Sequence, residues 1–345
     1  MSYPRIIQVM AGAAIGGAEA FYERLTIALT AAGVEQKAVI RTNSTRRQLL
    51  ADAGVDVHEL PFRKWLDFTT KPEIRALAKE FDADIILAWM NRAGSAIPKG
   101  DWVVAGRMGG YYKLSNYPTC DHLIGNTPDL RDYIIREGWP AERAWYLPNF
   151  VDDRRMPPVD RNSLDTPQDA PLLLCLGRLH RNKAFDTALH VLSNVPTAYL
   201  WLAGDGPEEQ ALRGLAKSLG IEDRVRFLGW RTDTAALLAS ADIFLCSSRH
   251  EPLGNIVLEA WAHGVPVVAA ASQGPSQLIA HNKTGLLAAV DDAEALAAGV
   301  KRLIEDPALG IDLGGAAQAA YVESYAEGPV VNAYLEFFDT ISARR

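Results

Sequence analysis

Two carboxylates and two cations stand where chemistry would need them. Glu251 and Glu259 flank the turn Pro252-Leu253-Gly254-Asn255, and a helix is expected to open at that turn and carry Glu259. Arg178 and Lys183 sit in Gly177-Arg178-Leu179-His180-Arg181-Asn182-Lys183, directly after the apolar run Leu172–Leu176. Two cations at the mouth of a sheet can clamp a diphosphate and take up charge on a departing group. A glycine turn opening a helix adds free backbone N–H groups and a favourable dipole for the same anion. Carboxylates beside a phosphate would repel it, so Glu251 and Glu259 fit better as acceptors for hydroxyls close to it. A ligand offering both a diphosphate and vicinal hydroxyls is a nucleotide sugar. His250, next to Glu251, is placed to touch the sugar, and Leu253, Gly254 and Asn255 belong to the donor-facing turn.

Another glycine loop, Ala11-Gly12-Ala13-Ala14-Ile15-Gly16-Gly17-Ala18-Glu19, follows the first strand-like run. It lets backbone approach a phosphate closely. It is not a dinucleotide fingerprint, because Ala14 occupies the middle glycine, and the second strand ends near Arg41 and Thr42 rather than at an acidic ribose-binding residue. Arg107, after the run Trp102–Ala105, is a candidate bidentate partner for an anionic acceptor, with Tyr111 nearby.

The elements that must position these residues alternate short β-rich runs with helical patterns, the signature of parallel sheets covered by helices. Strands are predicted at Arg5–Val9, Gln36–Ile40, Val55–Glu59, Ile85–Trp89, Trp102–Ala105 and His122–Ile124, with the run Ala144–Leu147 following before Pro148. Helices are predicted near Gly17–Ala31, Thr45–Ala53, Lys71–Phe81 and Pro128–Glu137. The pattern restarts with strands at Leu172–Leu176, Ala198–Ala203, Val225–Leu228, Asp242–Cys246 and Val265–Ala270, with helices between. Helices then cover Asp291–Glu305 and Asp312–Tyr325, before a last segment Val330–Ile341. The polar, proline-bearing stretch up to Pro171 reads as a linker. Two doubly wound sheets are expected, binding ligands at the carboxyl ends of their strands in a deep cleft where the halves face each other. The expected domains are 1–155, binding acceptor, and 170–325, binding nucleotide sugar, with 326–345 a C-terminal helix packing back on the first domain.

At 345 residues the chain suits two domains of ordinary size. Its net charge of −7 is unevenly placed: residues 1–150 hold 18 Lys+Arg against 17 Asp+Glu (+1), and residues 151–345 hold 17 against 25 (−8). Neither half is basic enough for a nucleic-acid partner, while the first half tolerates an anionic acceptor or membrane surface. The segment Phe62-Arg63-Lys64-Trp65-Leu66-Asp67-Phe68 offers an aromatic and basic membrane contact, against the plainer reading of a loop packed on its own domain. No run approaches the roughly 18 apolar residues of a membrane span, and the first residues read as a strand rather than a signal peptide. A cytoplasmic location, with peripheral contact at the inner face, is the expectation. Cys120, Cys175 and Cys246 are odd in number and lack metal-ligand spacing. No cofactor is expected, and no carboxylate or His/Cys cluster reads as a metal site.

The run Glu251-Pro-Leu-Gly-Asn-Ile-Val-Leu-Glu259-Ala, followed by Gly264-Val-Pro-Val-Val, resembles the E-x7-E signature of the family 4 (group 1) retaining glycosyltransferases, which have the GT-B fold. Gly16, Gly17 and Glu19 resemble that family's Gly-Gly-x-Glu element, and Arg178 with Lys183 its Gly-Arg…Lys pair. The resemblance implies that Arg178, Lys183 and Glu251 form the catalytic set, with the two cations on the phosphates and Glu251 on sugar hydroxyls. It also implies that Glu259 takes the ribose, that Gly16 and Gly17 face the diphosphate across the cleft, and that Gly229 and Trp230 adjoin the base. The implied reaction moves a hexose from a UDP- or GDP-sugar to a glycan or lipid-linked acceptor of envelope polysaccharide or lipopolysaccharide. It would proceed by same-face transfer, without metal. Two departures stand out: no histidine in the acceptor-side loop near Arg107, and Gly274-Pro275-Ser276-Gln277 where the family often ends a turn in glutamate. A nucleotide-sugar epimerase or phosphorylase of the same fold, or a non-catalytic nucleotide-sugar-binding module, would share these features.

Overall fold

The computed structural model describes residues 3–14, 16–63 and 67–343. The chain divides into two compact units, Met1–Phe150 with Glu327–Arg345, and Val151–Ala326.

The first unit is a seven-stranded sheet in the order β3-β2-β1-β4-β5-β6-β7. The strands are β1 Ile6–Met10, β2 Gln36–Arg41, β3 Asp56–Leu60, β4 Ile85–Trp89, β5 Val103–Arg107, β6 His122–Gly125 and β7 Ala144–Tyr146. All neighbours pair parallel. Every position of β1 and β4 is buried, as expected for central strands covered on both faces. The helices α1 Gly17–Ala31, α2 Ser44–Asp52, α3 Thr70–Glu80, α4 Met90–Ala96 and α5 Pro128–Arg136 supply the cover.

The unit is completed from the far end of the chain, by α13 (Glu327–Ser342). Val330, Val331, Tyr334, Phe337, Phe338 and Ile341 recur at helical spacing and are buried with Phe21, Leu25, Trp89 and Phe150 in one cluster. At about 1.5–3 kcal/mol for each buried large apolar side chain, this face is a major part of the unit's cohesion.

The second unit is a six-stranded parallel sheet in the order β10-β9-β8-β11-β12-β13. Its strands are β8 Leu172–Leu176, β9 Tyr199–Ala203, β10 Val225–Gly229, β11 Ile243–Cys246, β12 Val267–Ala270 and β13 Leu286–Ala288. The helices are α6 Phe185–Ser193, α7 Glu209–Ser218, α8 Thr234–Ser240, α9 Asn255–Ala262, α10 Gln273–Leu278, α11 Ala293–Glu305 and α12 Pro307–Ser324. In both sheets the strand order reverses beside the first strand, between β1 and β4 and between β8 and β11. The loops leaving those strands therefore diverge and open a crevice at the carboxyl edge of each sheet.

Several elements differ from the sequence reading. The stretch expected as a linker is fastened to the second unit: Arg161 donates to Ser240 O and pairs with Asp242 at 3.0 Å, and Trp201 Nε1 donates to Thr166 at 2.9 Å. Arg161 and Thr166 fasten it, while most of its other polar residues face solvent. Helix α12 starts at Pro307, five residues before the expected Asp312, because Asp306 caps it by accepting from Leu309 N at 3.1 Å. Helix α4 was not expected, since Met-Asn-Arg-Ala-Gly-Ser-Ala has no apolar period, and β13 is a three-residue edge strand too short to register. Of the segment proposed for membrane contact, Lys64, Trp65 and Leu66 lie outside the described residues, Phe62 is buried and Phe68 is exposed.

Candidate active site

The second unit brings most of the expected residues to one edge of its sheet, and glycine packing explains how. Gly177, Gly204 and Gly229 end β8, β9 and β10 with φ of 135°, 153° and 65°. Gly177 N donates to Ala203 O at 3.0 Å and Gly204 N to Gly229 O at 2.8 Å. A Cβ on Gly204 would stand 1.9 Å from Gly177 O, so only glycine lets the turns touch. Gly229 also breaks the β9–β10 register, which presents Trp230, 58% exposed, at the strand end.

Lys183 and Glu251 meet at the switch point, one from the loop after β8 and the other from the loop after β11. The Lys183 ammonium forms an ion pair with Glu251 Oε2, and Glu251 Oε1 accepts from Gly254 N at 3.3 Å. Glu251 is buried and Lys183 half-buried. Burial opposes the charged lysine, but the Glu251 carboxylate outweighs it by charge and hydrogen bond, with Cys246 and Glu259 adding smaller contributions, and the Lys183 pKa is raised above its ordinary value. The two loops are laced together beneath the pair: Asn182 O accepts from Arg249 N at 2.9 Å and His250 N at 3.1 Å, and Ser247 donates to Lys183 O at 2.9 Å. The Lys183 chain runs past Gly177, where a Cβ would stand 3.0 Å from its Cε, and so lies next to the root of Arg178. Arg178 is exposed and, among the described residues, has no hydrogen-bond or ion-pair partner.

The Glu251–Glu259 turn is locked from behind. Gly254 adopts φ 74° as the cap of α9, the helix that carries Glu259. Gly274 N donates to Glu251 O at 2.7 Å, and a Cβ on Gly274 would lie 2.5 Å from both Gly254 N and Leu253 C. Gln273 was missed in the sequence. Its Nε2 lies 3.0 Å from His250 Nδ1, and its Oε1 accepts from Glu251 N at 3.4 Å, so one amide spans both residues. Its position just before the singled-out Gly274 was the signal available. Gln277 bonds the α10 backbone through Gln273 O at 3.0 Å.

The remaining candidates belong to the first unit. Gly16 and Gly17 open α1, and Glu19, buried, folds back to accept from Ala13 N at 2.7 Å. The carboxylate fills the space a Cβ on Gly12 or Gly16 would take, which is why those positions are glycine. Glu19 is thus more than a favourable charge at a helix start. Arg107 is not available to an acceptor. It is 1% exposed, lies 4.7 Å from the ring centres of both Phe21 and Trp89, donates to Tyr334 Oη at 2.8 Å and bonds Asn149. Its charge is consumed in tying α13 to the sheet. Tyr111 is partly exposed, but its hydroxyl donates to Asp129; burial and that carboxylate push its pKa up to about 12.

Among the described residues no group of three or more His, Cys, Asp or Glu is placed to hold a metal. The Asp-x-Asp spacing, overlooked in the sequence, does occur at Asp82-Ala83-Asp84. It precedes β4, at the opposite edge from the loops above, where Asp84 accepts from Arg5 N at 2.9 Å and Asp82 pairs with the Arg5 guanidinium.

Comparison with known proteins gives the family and the fold. The family described as glycosyl transferases group 1 matches residues 158–320, the span that holds Arg178, Lys183, Glu251 and Glu259. The lipopolysaccharide core biosynthesis glycosyltransferase LpsE of Rhizobium meliloti (strain 1021) is 37% identical over 326 residues, 93% of this chain and 95% of that protein. The chain belongs to the group 1 glycosyltransferases. A second relative of that organism, the core biosynthesis glycosyltransferase LpsD, is 36% identical over 334 residues, 96% of this chain and 97% of its own. Among solved structures, Anabaena HepE in complex with UDP superposes with a TM-score of 0.83 at 21% identity, covering 97% of this chain and 99% of that one. Sucrose-phosphate synthase from Thermosynechococcus elongatus gives 0.79 at 19% identity, covering 99% and 100%. The fold of this glycosyltransferase is accordingly GT-B, two Rossmann-like parallel-sheet domains. Among the described residues no helix is long and apolar enough to cross a membrane.

Proposed function

We propose that this glycosyltransferase moves a hexose from a nucleoside diphosphate sugar to a glycan or lipid-linked acceptor in lipopolysaccharide core assembly, with retention of anomeric configuration and without a metal. The observation that carries the reading is the Lys183–Glu251 pair at the switch point of the donor-side sheet, with Arg178, unpartnered among the described residues, beside it. An ammonium has three donors. One is spent on Glu251, and the others serve the donor diphosphate together with the Arg178 fork. Glu251, oriented by Lys183 and Gly254, accepts from sugar hydroxyls, Glu259 on α9 takes the ribose, and Trp230 beside Gly229 adjoins the base.

In the transfer the bond from the anomeric carbon to the donor phosphate breaks while the bond to the acceptor oxygen forms on the same face. The acceptor's proton passes to the departing phosphate oxygen, whose charge Arg178 and Lys183 stabilise. A carboxylate already engaged by an ammonium and a backbone N–H is poorly disposed to act as nucleophile, which favours this course over double displacement. The relatives named for core biosynthesis support the setting. HepE's complexes with UDP and UDP-glucose put uridine first among the donors to try.

The test is incubation with UDP-glucose and GDP-mannose, with and without a deacylated core oligosaccharide. A lengthened acceptor bearing an α-linked hexose is expected from an α-linked donor. A β-linked product would refute retention, free epimerised donor would show an epimerase, and binding with neither transfer nor slow donor hydrolysis would show a binding module.

A further inference from the structure

Removing Arg107 from the acceptor side leaves open what the first unit does with its positive charge. Two adjoining cavities at the carboxyl ends of β1 to β4 answer this. The first, about 470 Å³, is lined by the Gly12–Ala14 loop, Asn43, Arg41, Arg46 and Arg63. The second, about 240 Å³, is lined by Arg63, Asp67, Thr70, Lys71, Arg92 and Ser95, so Arg63 belongs to both. Five cations and one carboxylate surround the combined space, in a half of the chain whose net charge is only +1.

Of the five, only Arg46 is paired with a carboxylate among the described residues. Arg46, 2% exposed, donates to Glu23 at 2.7 Å and reaches the carbonyls of Ala13 and Ala14, so it shapes the floor. Arg41, Arg63, Lys71 and Arg92 are exposed, and among the described residues their side chains have no ion-pair or hydrogen-bond partner. Elsewhere Arg5, Lys37, Arg47, Arg161, Arg231 and Arg249 all pair with carboxylates. Asp67 stays ionised, its oxygens accepting from Arg63 N at 2.8 Å and from Thr70 N and Oγ1, and it offsets one of the cations while the others remain in excess. A concave surface where cations outnumber carboxylates, at the switch point of an α/β sheet, is an anion site by its electrostatics and position.

We infer that this basic depression binds an oxyanion, phosphate or carboxylate, carried by a sugar of the acceptor. The inference rests on the glycosyltransferase reading for the word acceptor, and on the cavities for the rest. The phosphate and carboxylate sources share planar or tetrahedral oxygens that the guanidinium forks of Arg41 and Arg63 can take two at a time.

Titration by calorimetry at low salt uses D-mannose 6-phosphate and D-glucuronate as probes, with D-mannose and D-glucose as neutral counterparts. Wild-type protein is expected to bind one or both charged sugars and neither neutral one, and the charged sugar that binds names the source. Arg41→Ser and Arg63→Ser are each expected to weaken that binding about 10- to 100-fold, the worth of one charge-assisted hydrogen-bonded contact. Arg178→Ala is expected to leave it within twofold. Hydrolysis of UDP-glucose without acceptor, which needs only the donor side, is expected to stay within twofold in both serine variants. Equal binding by charged and neutral sugars, or undiminished binding by both serine variants, would overturn the site. So would wild-type protein that ignores all four sugars but sediments with phosphatidylglycerol vesicles in an Arg41- and Arg63-dependent way, since the depression would then be a membrane contact. Absence of donor hydrolysis and transfer with sugar binding intact would strike the proposed function and leave the anion site standing.

Discussion

Arg178 and Lys183 are assigned the same charge-stabilising task, yet the structure gives them opposite consequences for folding, and that difference can be measured. Arg178 is exposed and without a partner among the described residues, so Arg178→Ala is expected to change stability by less than about 0.5 kcal/mol. If its guanidinium holds the leaving diphosphate, the same change removes about 3–4 kcal/mol of transition-state stabilisation, a fall of roughly 100- to 1000-fold in kcat. Lys183→Ala loses as much in rate, but it also strands Glu251. In contact at an effective dielectric of 20, unit charges attract by about 5 kcal/mol before desolvation. Breaking a fully buried pair costs about 3–5 kcal/mol. The side chains here are 19% and 10% exposed and Glu251 keeps its bond to Gly254, so about 2–3 kcal/mol is expected. For a chain of this size that lowers Tm by several degrees. Adding Glu251→Gln to Lys183→Ala should restore most of that Tm and none of the rate. The assays are thermal unfolding and initial rates with saturating UDP-glucose. An Arg178→Ala enzyme at the wild-type rate would remove it from the chemistry, and a Lys183→Ala protein with unchanged Tm would refute the reasoning about the pair. The pH dependence has a definite sign. Because the folded lysine pKa is raised, the pair's contribution is complete below the unfolded value of about 10.4 and is lost as pH rises through the folded value. The Tm gap between wild type and Lys183→Met should be flat from about pH 7 to 9 and close above about 10.4.

Gly274→Ala would drive a methyl group into the backbone of Leu253 and Gly254, so a loss of about 1–3 kcal/mol and weaker donor binding are expected by unfolding and titration with UDP. Arg107→Leu leaves the Tyr334 hydroxyl and Asn149 without their buried partner and should cost about 1–3 kcal/mol in a melt, while acceptor KM stays within twofold in the folded enzyme; a raised KM would return Arg107 to the acceptor site. Transfer is expected to survive EDTA at full rate, and loss of turnover restored by a divalent cation would contradict a reaction run on Arg178 and Lys183. Glu259→Ala should weaken UDP binding by about 10-fold or more, the worth of a charge-assisted hydrogen bond, and an unchanged affinity would refute the ribose role.

Much of this was legible in the chain, because local signals carry it. Alternation of β-rich runs with helical patterns predicts parallel sheets whatever packs on them, and the strand-turn-helix around Gly254 follows from the glycine and the apolar run after it. The residue types at 178, 183, 251 and 259, with their setting at strand ends, sufficed to point to a diphosphate and hydroxyls. What tertiary structure alone decided were contacts across long sequence separations. Arg107 had the same local setting as a binding arginine and became structural only because Tyr334, more than two hundred residues later, and the rings of Phe21 and Trp89 close over it. The supposed linker became part of the second unit because its polar groups found Ser240 and Asp242. Gln273 acquired its hold on His250 and Glu251 only when β11 and β12 came to lie side by side. The cations at 41, 63, 71 and 92 are scattered in sequence and meet because four parallel strands end at one edge. Periodicity is written in neighbouring residues, whereas a buried charge or a shared cavity depends on which distant atoms fill the space around it.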